Sequence, residues 1–168
     1  MRFRRRFVIL ATIALLAVSS CRRAKTLASL PDLGAEPAWT VTDLAGKPVG
    51  AETLRGKVVV VDFWATWCGP CLEEMPGYVD LQKKYGPAGL VIVGLSVDEG
   101  GAAPVREFAA KNGITYRLAM ADEKLVAQFG SMEGFPTTFL IDRQGRVRHR
   151  KIGIMPEAGY EQLIRSLL

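Results

Sequence analysis

The sequence predicts an α/β domain in which helices cover both faces of a central mixed β-sheet. Two continuous apolar runs rich in β-branched residues, Val58–Phe63 and Leu90–Val97, are typical of strands buried on both faces. The segment between them, Cys71–Tyr85, repeats its apolar residues at helical spacing and is followed by glycines that end a helix. Buried strands that alternate with helices place the sheet in the middle of the domain.

The other elements complete this sheet and its helical cover. Weak alternation over Ala38–Pro48 suits a small N-terminal hairpin extension. The remaining predictions, in chain order, are a helix Val105–Lys111 opened by Pro104, a strand Tyr116–Met120, a helix Lys124–Phe129, a strand Thr137–Ile141, its hairpin partner Arg146–Ile152 and a helix Pro156–Leu168. The predicted core contacts of the first and last helices are Leu72, Met75, Val79, Leu81, Tyr85, Tyr160, Leu163, Ile164 and Leu167.

Positive charge is concentrated at the N-terminus. The formal net charge is +5, but six of the 22 basic residues lie within the first 23 positions, where no acid occurs. The rest of the chain holds 16 basic and 17 acidic residues. A near-neutral domain without a basic stripe lacks the electrostatic footprint of a nucleic-acid-binding protein, so no nucleic-acid partner is expected.

Residues 1–20 have the pattern of an export signal. A basic head precedes the apolar run Phe7–Val18, which is shorter than the roughly 20 residues that a spanning helix needs. The four residues ending at Cys21 resemble a bacterial lipobox, in which the cysteine is lipidated. An uncleaved anchor and an ordinary cleaved signal are the alternatives. We expect an exported protein attached to the membrane on its periplasmic, extracytoplasmic face, with a tether at 21–37 and the domain at 38–168.

Cys68 and Cys71 stand just past a predicted strand and at the start of a predicted helix. The N–H groups at a helix N-terminus favour an anion, so this position lowers the pKa of Cys68 and makes it the attacking sulfur. Cys71 follows one helical turn later, where it lies beneath Cys68 and can close a disulfide. Pro70 fits the first helical turn, because its missing N–H costs nothing there.

Two other uses of a Cys-x-x-Cys pair are weaker. A structural zinc site needs four ligands, and the domain offers two cysteines and one histidine. That histidine, His149, lies in a basic hairpin where it is predicted to be exposed and solvated. A purely structural disulfide across a two-residue gap removes little chain entropy from the unfolded state. Neither a metal nor a cofactor is therefore expected.

Two motifs carry a resemblance to a known family. The stretch WCGPC at 67–71 is similar to the active-site motif of thioredoxin. The stretch GFPTTFLID at 134–142, with Gly145 after it, resembles the second signature of the exported, membrane-attached TlpA/ResA-type disulfide reductases. The resemblance covers about residues 38–168 and implies a thioredoxin fold with an N-terminal hairpin.

The resemblance also implies how the site meets a protein client. The peptide bond between Phe135 and Pro136 is expected to be cis, with Pro136 facing the disulfide. The backbone of this loop then pairs with an extended client segment, a short form of strand addition. Independently of the resemblance, Trp64 and Trp67 are expected to flank the disulfide as packing and as a flat recognition surface. The residues predicted to contact the client are Trp67, Gly69, Pro70, Phe135, Pro136 and Thr137.

Two carboxylates are candidates for the base that takes the proton of Cys71. Asp62 precedes Cys68 by six residues, where thioredoxins carry a buried acid, and Glu74 matches an active-site glutamate of the TlpA/ResA-type branch. ResA-like proteins have no acid at the position of Asp62, so the sequence leaves open which acid acts. Alternatively, Asp62 satisfies local polar groups and Glu74 is a solvated helix charge. The loop Asp98–Gly101 is interpreted as a solvated turn without a role.

Together these residues predict a thiol–disulfide oxidoreductase acting on protein dithiols and disulfides. Cys68 attacks a client disulfide, and Cys71 resolves the mixed disulfide. The Gly-Pro dipeptide between the cysteines resembles that of reducing thioredoxin, so we expect a disulfide reductase. By resemblance, electrons come from a membrane thiol transporter, and clients are apocytochrome c or copper-site assembly proteins. The apolar pattern leaves no spare face for assembly, so a monomer is expected.

Two other functions compete with this interpretation. Peroxiredoxins carry Pro and Thr ahead of their reactive cysteine, where this chain has Val61 and Ala65, so a peroxidase is disfavoured. A tethered copper- or haem-delivery module would use Cys68 and Cys71 as ligands, since two thiolates suit Cu(I). That module predicts tight metal binding by the reduced pair and little disulfide turnover.

Overall fold

The computed structural model describes residues 30–130 and 132–168. In chain order the elements are β1 (Thr40–Thr42), β2 (Pro48–Gly50), β3 (Val58–Trp64), α1 (Gly69–Tyr85), β4 (Leu90–Ser96), α2 (Ala102–Lys111), β5 (Arg117–Met120), α3 (Glu123–Gln128), β6 (Thr137–Ile141), β7 (Val147–Ile152) and α4 (Glu157–Leu167). A short 3-10 turn at Gly86–Ala88 links α1 to β4. The predicted succession of strands and helices is confirmed, with small shifts at the boundaries.

The central sheet is mixed, as predicted. Its strand order is β5-β4-β3-β6-β7, with β3, β4 and β5 parallel and with β6 antiparallel to both β3 and β7. Trp64 pairs with Ser96 across β3 and β4, so these two strands end at the same edge of the sheet. The N-terminal hairpin is a separate antiparallel pair, β1–β2, which Asp43 fastens to β5 through an ion pair with Arg117 at 3.0 Å.

Hydrophobic layers cover both faces of the sheet, and β3 contributes to both. Its even-numbered apolar side chains, including Trp64, pack beneath α1, α2 and α4, and its odd-numbered ones, including Phe63, pack beneath α3 and the hairpin. Because neither face meets water, the strand is apolar almost throughout. Asp62 is the exception, and alternation places it on the face covered by α1 and α4.

Helix α1 differs from its prediction in its start and its inward face. It begins two residues earlier, because Cys68 caps it by accepting the N–H of Cys71 at Sγ. Glu74 and Tyr78 are buried on its inner face, although neither was predicted to be in the core. The predicted core residues that are only partly buried, in α1 and α4, are Leu72, Val79, Tyr85, Leu163 and Leu167. Helix α2 starts at Ala102, so Pro104 lies within its first turn.

Part of the predicted tether lies against the edge of the sheet. Leu33 donates its N–H to the carbonyl of Val147 at 2.9 Å, and Val147 donates its N–H to the carbonyl of Gly34 at 2.8 Å. Strand β7 is an edge strand, so its outer backbone groups need such partners. The backbone contacts of the domain therefore begin ahead of residue 38, within the stretch that was predicted as a tether.

The predicted export signal at 1–20 and the predicted lipidation site Cys21 lie outside the described residues. Within residues 30–130 and 132–168, no helix has both the length and the apolar character needed to cross a membrane. The longest of these helices, α1, has 17 residues and carries several charged side chains.

Candidate active site

The two cysteines form a disulfide at the start of α1, with their Sγ atoms 2.02 Å apart. Cys68 is 6% exposed and Cys71 is 1% exposed, so Cys68 is the sulfur nearer to solvent. The N–H of Cys71 lies 3.3 Å from Sγ of Cys68. This N–H and the helix N-terminus stabilise negative charge on Cys68 once the disulfide is reduced. The geometry thus favours Cys68 for attack and Cys71 for resolution.

Asp98 holds the loop between β3 and the cysteines, so its interpretation as part of a solvated turn without a role is wrong. One carboxylate oxygen accepts the Thr66 hydroxyl at 2.6 Å, and the other accepts the Thr66 N–H at 3.0 Å. Ser96, the last residue of β4, donates its hydroxyl to the same carboxylate at 2.8 Å. The predicted order of strands could have indicated this role of Asp98. Parallel strands β3 and β4 end at one edge, so an acid just past β4 meets the loop after β3.

Trp67 and the loop before β6 lie on the surface around the cysteines. Trp67 is 68% exposed, and its ring meets the ring of Phe135 edge-on, with centroids 6.2 Å apart. The Phe135–Pro136 peptide bond is cis, as the resemblance implies. Gly69 and Pro70 are exposed in the first turn of α1. Trp67, Gly69 and Pro70 are therefore available to an approaching protein, whereas Phe135 is half-buried and Pro136 is buried.

Two residues that were predicted to take part in client recognition, Thr137 and Trp64, have buried side chains. Thr137 is fully buried in β6, and its hydroxyl donates to the carbonyl of Gly134 at 2.6 Å, so its side chain shapes the loop from within. Trp64 is also fully buried and packs its ring against Phe108 of α2. It therefore supports the site from below and offers no recognition surface.

Asp62 lies buried on the α1 face of the sheet, with 1% of its surface exposed. Its Oδ1 accepts the hydroxyl of Thr138 at 3.1 Å. Burial, aided by the negative charge of Glu74 and opposed by the hydrogen bond from Thr138, raises the pKa of Asp62 to about 8. A carboxyl with this pKa exchanges its proton near neutral pH, as a general acid or base does.

Glu74 is 7% exposed, so its interpretation as a solvated helix charge is wrong. Its Oε1 accepts the N–H of Met155 at 2.7 Å, and its Oε2 lies 3.5 Å from the hydroxyl of Tyr78. Burial raises the pKa of Glu74, and the contacts with Met155 and Tyr78 and the charge of Lys151 oppose the rise. Two buried carboxyls, not one, therefore lie beneath α1.

His149 is half-buried in β7 opposite Leu140, which corrects the prediction of an exposed, solvated side chain. Burial and the nearby charge of Lys151 lower the pKa of His149. Among residues 30–130 and 132–168, no group of three or more His, Cys, Asp or Glu side chains is placed to hold a metal ion.

A mixed sheet whose central strand leads into a helix-capping Cys-x-x-Cys disulfide, next to a cis-proline loop, defines the class of thioredoxin-fold thiol–disulfide oxidoreductases. The family model described as Redoxin matches residues 30–164. The chain is 36% identical over 132 residues to the thiol-disulfide oxidoreductase ResA of Bacillus anthracis, which covers 78% of this chain and 75% of the relative.

Two further relatives agree. The chain is 32% identical over 127 residues to the thioredoxin-like protein YneN of Bacillus subtilis, covering 75% of this chain and 74% of the relative. A solved thiol:disulfide interchange protein of the thioredoxin family from Chlorobium tepidum superposes with a TM-score of 0.74 at 32% identity, over 83% of this chain and 99% of that one. The chain belongs to the TlpA/ResA-type thioredoxin-like family, and it is a thiol–disulfide oxidoreductase.

Replacing Asp62 by Asn is expected to stabilise the protein increasingly as the pH rises. The pKa of Asp62 is about 8 when folded, well above that of an unfolded aspartate, so the wild type loses stability between about pH 4 and pH 8. Asn cannot ionise, so Asp62→Asn gains about 2–4 kcal/mol at pH 7 and almost nothing near pH 4. Urea unfolding of the oxidised protein across this range measures the gain, and a gain independent of pH would contradict the explanation.

Replacing Asp98 by Ala is expected to lower the free energy of unfolding by about 1–3 kcal/mol, because Thr66 loses acceptors for its N–H and its hydroxyl. The matched control is Glu99→Ala, which removes an exposed carboxylate from the same loop. Urea unfolding of both variants at one pH gives the comparison. Equal stability of the two variants would show that Asp98 does not hold the loop.

Proposed function

We propose that this protein is an exported, membrane-attached disulfide reductase that acts on protein clients as a monomer. The observation that carries the proposal is the arrangement at the start of α1. Cys68 caps the helix near the surface, Cys71 lies buried behind it, and Trp67, next to Cys68 in the chain, has an exposed ring. A reactive sulfur beside an exposed aromatic ring suits a macromolecular disulfide better than a small molecule enclosed in a cavity.

The proposed reaction passes two electrons from the cysteine pair to the client. The thiolate of Cys68 attacks one sulfur of the client disulfide, a mixed disulfide forms, and the other client sulfur leaves as a thiolate. Cys71 then loses its proton and attacks Cys68. The bond between Cys68 and Cys71 forms, the bond to the client breaks, and the second client sulfur leaves with its electron pair. The client gains two thiols, and the enzyme becomes the disulfide seen in the structure.

The client-binding surface is proposed to comprise Trp67, Gly69, Pro70 and the backbone of Phe135. The carbonyl of Pro136 already accepts the N–H of Gly153 at 2.8 Å, so it has a partner within the protein. Strand addition by a client therefore falls to the preceding residue, Phe135, whose ring also meets Trp67.

Asp62 and Glu74 are proposed as the groups that accept the proton of Cys71. Glu74 is buried on the inner face of α1, as Cys71 is, and Asp62 is buried on the face of the sheet that α1 covers. Burial raises the pKa of each carboxyl. A raised pKa makes a carboxylate a stronger base at neutral pH. Glu74 lies one helical turn after Cys71, so the two side chains share a face of α1.

The proposed direction of the reaction and its proposed partners are taken from the resemblance to thioredoxin and to the TlpA/ResA-type reductases. The Gly-Pro dipeptide favours reduction, a membrane thiol transporter is the proposed electron donor, and apocytochrome c or copper-site assembly proteins are the proposed clients. An extracytoplasmic reductase needs such a donor, because its compartment is otherwise oxidising. Cys21, ahead of the described residues, is proposed to carry the lipid that attaches the chain to the membrane.

The reduction potential of the Cys68–Cys71 pair tests the direction. We expect a value near or below about −250 mV, as in reducing thioredoxin, because the wild type is proposed to donate electrons. The full chain is equilibrated with defined thiol buffers, and fluorescence of the exposed Trp67 reports the redox state. The variant Cys71→Ser, which cannot form the disulfide, is the control. A potential near about −120 mV would reverse the direction to disulfide formation.

Attachment is tested by Cys21→Ala. We expect this variant to leave the membrane fraction for the soluble extracytoplasmic fraction, because it lacks the sulfur that takes the lipid. Ser19→Ala keeps the cysteine and a small residue and is the matched control. Fractionation of the full chain followed by immunoblotting measures both. A Cys21→Ala variant that stays in the membrane would indicate an uncleaved apolar anchor.

A further inference from the structure

A chain of hydroxyl groups joins the two buried carboxyls beneath α1. Oγ1 of Thr138 lies 3.1 Å from Oδ1 of Asp62, 3.2 Å from the hydroxyl of Tyr78 and 3.0 Å from the hydroxyl of Tyr160. Tyr78 continues the chain to Oε2 of Glu74 at 3.5 Å, the longest of the four contacts. All five residues are buried, so each of their polar atoms needs a partner among its neighbours.

These four contacts need four protons, and the hydroxyl groups supply only three. Thr138, Tyr78 and Tyr160 each carry one hydroxyl proton, whereas an ionised carboxylate carries none. If Asp62 and Glu74 are both ionised, at least one contact joins two oxygens with no hydrogen between them, which is costly in a buried site. One more proton, on either carboxyl, completes all four hydrogen bonds.

Two arrangements complete the set. With the extra proton on Asp62, Asp62 donates to Thr138, Thr138 to Tyr78 and Tyr78 to Glu74. With the proton on Glu74, each of these three hydrogen bonds runs the opposite way. Tyr160 donates to Thr138 in both. The arrangements differ only in the positions of hydrogens, so the proton can pass from one carboxyl to the other without a change of side-chain rotamer.

We propose that Thr138 and Tyr78 form a proton relay that makes Asp62 and Glu74 one acceptor, which holds a single shared proton between turnovers. The inference rests on the proposed role of these carboxyls in accepting the proton of Cys71. Neither acid titrates alone in such a pair, so the two carboxyls act together as the base. Thr138 and Tyr78 are positioning residues, since they act through the carboxyls.

Glu74 is the end of the relay that reaches solvent. Together with Tyr78 and Tyr160 it lines a cleft of about 270 Å³ between α1 and the segment Ile154–Glu157. Asp62 has almost no exposed surface and does not line this cleft. Protons therefore enter or leave the relay most readily at Glu74.

The relay keeps the proton balance of the resolving step. As Cys71 attacks Cys68, its thiol proton passes to the carboxylate that is empty at that moment. The relay then holds two protons, and one leaves from Glu74 to solvent in the cleft. The unit returns to one proton, ready for the next turnover, and no charge accumulates beneath the disulfide.

Other titratable groups surround the relay, and two of them, Glu73 and Glu157, line the same cleft as Glu74. Lys151 of β7 acts on Glu74 by its charge, and the ring of Tyr116, just before β5, lies edge-on to Tyr78 at 6.1 Å. The hydroxyl of Tyr116 is buried and makes no hydrogen bond with any residue that the structure describes. Tyr116 is thus a buried tyrosine beside the relay and outside it, which makes it a matched control.

The test uses a symmetric aromatic disulfide that releases one coloured thiolate when Cys68 attacks and a second when Cys71 resolves. The full chain carries Cys21→Ser in every sample, so that only the active-site pair reports, and the reagent does not exceed the protein. We expect Tyr78→Phe and Thr138→Val to slow the second release about tenfold and to leave the first unchanged. Thr138→Ser, which keeps the hydroxyl, and Tyr116→Phe are expected to release both at wild-type rates.

The same traces separate the relay from the proposed base. One outcome would overturn the relay and keep the proposed base: Tyr78→Phe and Thr138→Val release the second thiolate at the wild-type rate, while Asp62→Asn or Glu74→Gln slows that release. If Asp62→Asn and Glu74→Gln both release the second thiolate at the wild-type rate, neither carboxyl is the base, and the relay is overturned as well. Equal slowing by Tyr78→Phe and Tyr116→Phe would attribute the loss to packing and would also overturn the relay. Rescue by Thr138→Ser excludes misfolding as the cause of the Thr138→Val effect.

Discussion

The junction between β3 and α1 is the constraint on which the rest of the site depends. Strand β3 is buried on both faces, so its direction is fixed by two hydrophobic layers, and the chain leaves it only four residues before the helix begins. That short link puts Cys68 at the helix N-terminus, where backbone N–H groups favour a thiolate. The parallel partner β4 ends at the same edge and supplies Asp98 to brace the link. The reactivity of Cys68 therefore depends on where β3 ends.

Placing acids beneath this junction has a cost that neighbouring hydroxyls reduce. Asp62 and Glu74 lose most of their hydration on folding, and burial raises the pKa of both. Thr138, Tyr78 and the N–H of Met155 offer hydrogen bonds in place of water. Stability is thus exchanged for two buried carboxyls whose pKa values are raised, on the side of the sheet that α1 covers.

Peripheral segments complete the sheet without taking part in the chemistry. The hairpin β1–β2 covers one hydrophobic layer and is tied to β5 by the ion pair between Asp43 and Arg117. Residues 33–36 line the outer edge of β7, where they occupy backbone groups that would otherwise face solvent. Both additions lie outside the path from β3 to α1, so they extend the domain and leave the site intact.

The sequence alone was enough to determine the order of strands and helices, the cysteine pair and the candidate acids, because these depend on apolar periodicity and on motifs of a few adjacent residues. Only the tertiary structure decided that Glu74 is buried, that Thr137 faces inward and that Asp98 braces Thr66. It also decided that Thr138, 76 positions from Asp62 and 60 from Tyr78, links them. Such contacts arise from how α1 and β6 pack across the sheet. A local pattern specifies each element and its period, whereas the partner of a buried polar group depends on which elements the fold brings together.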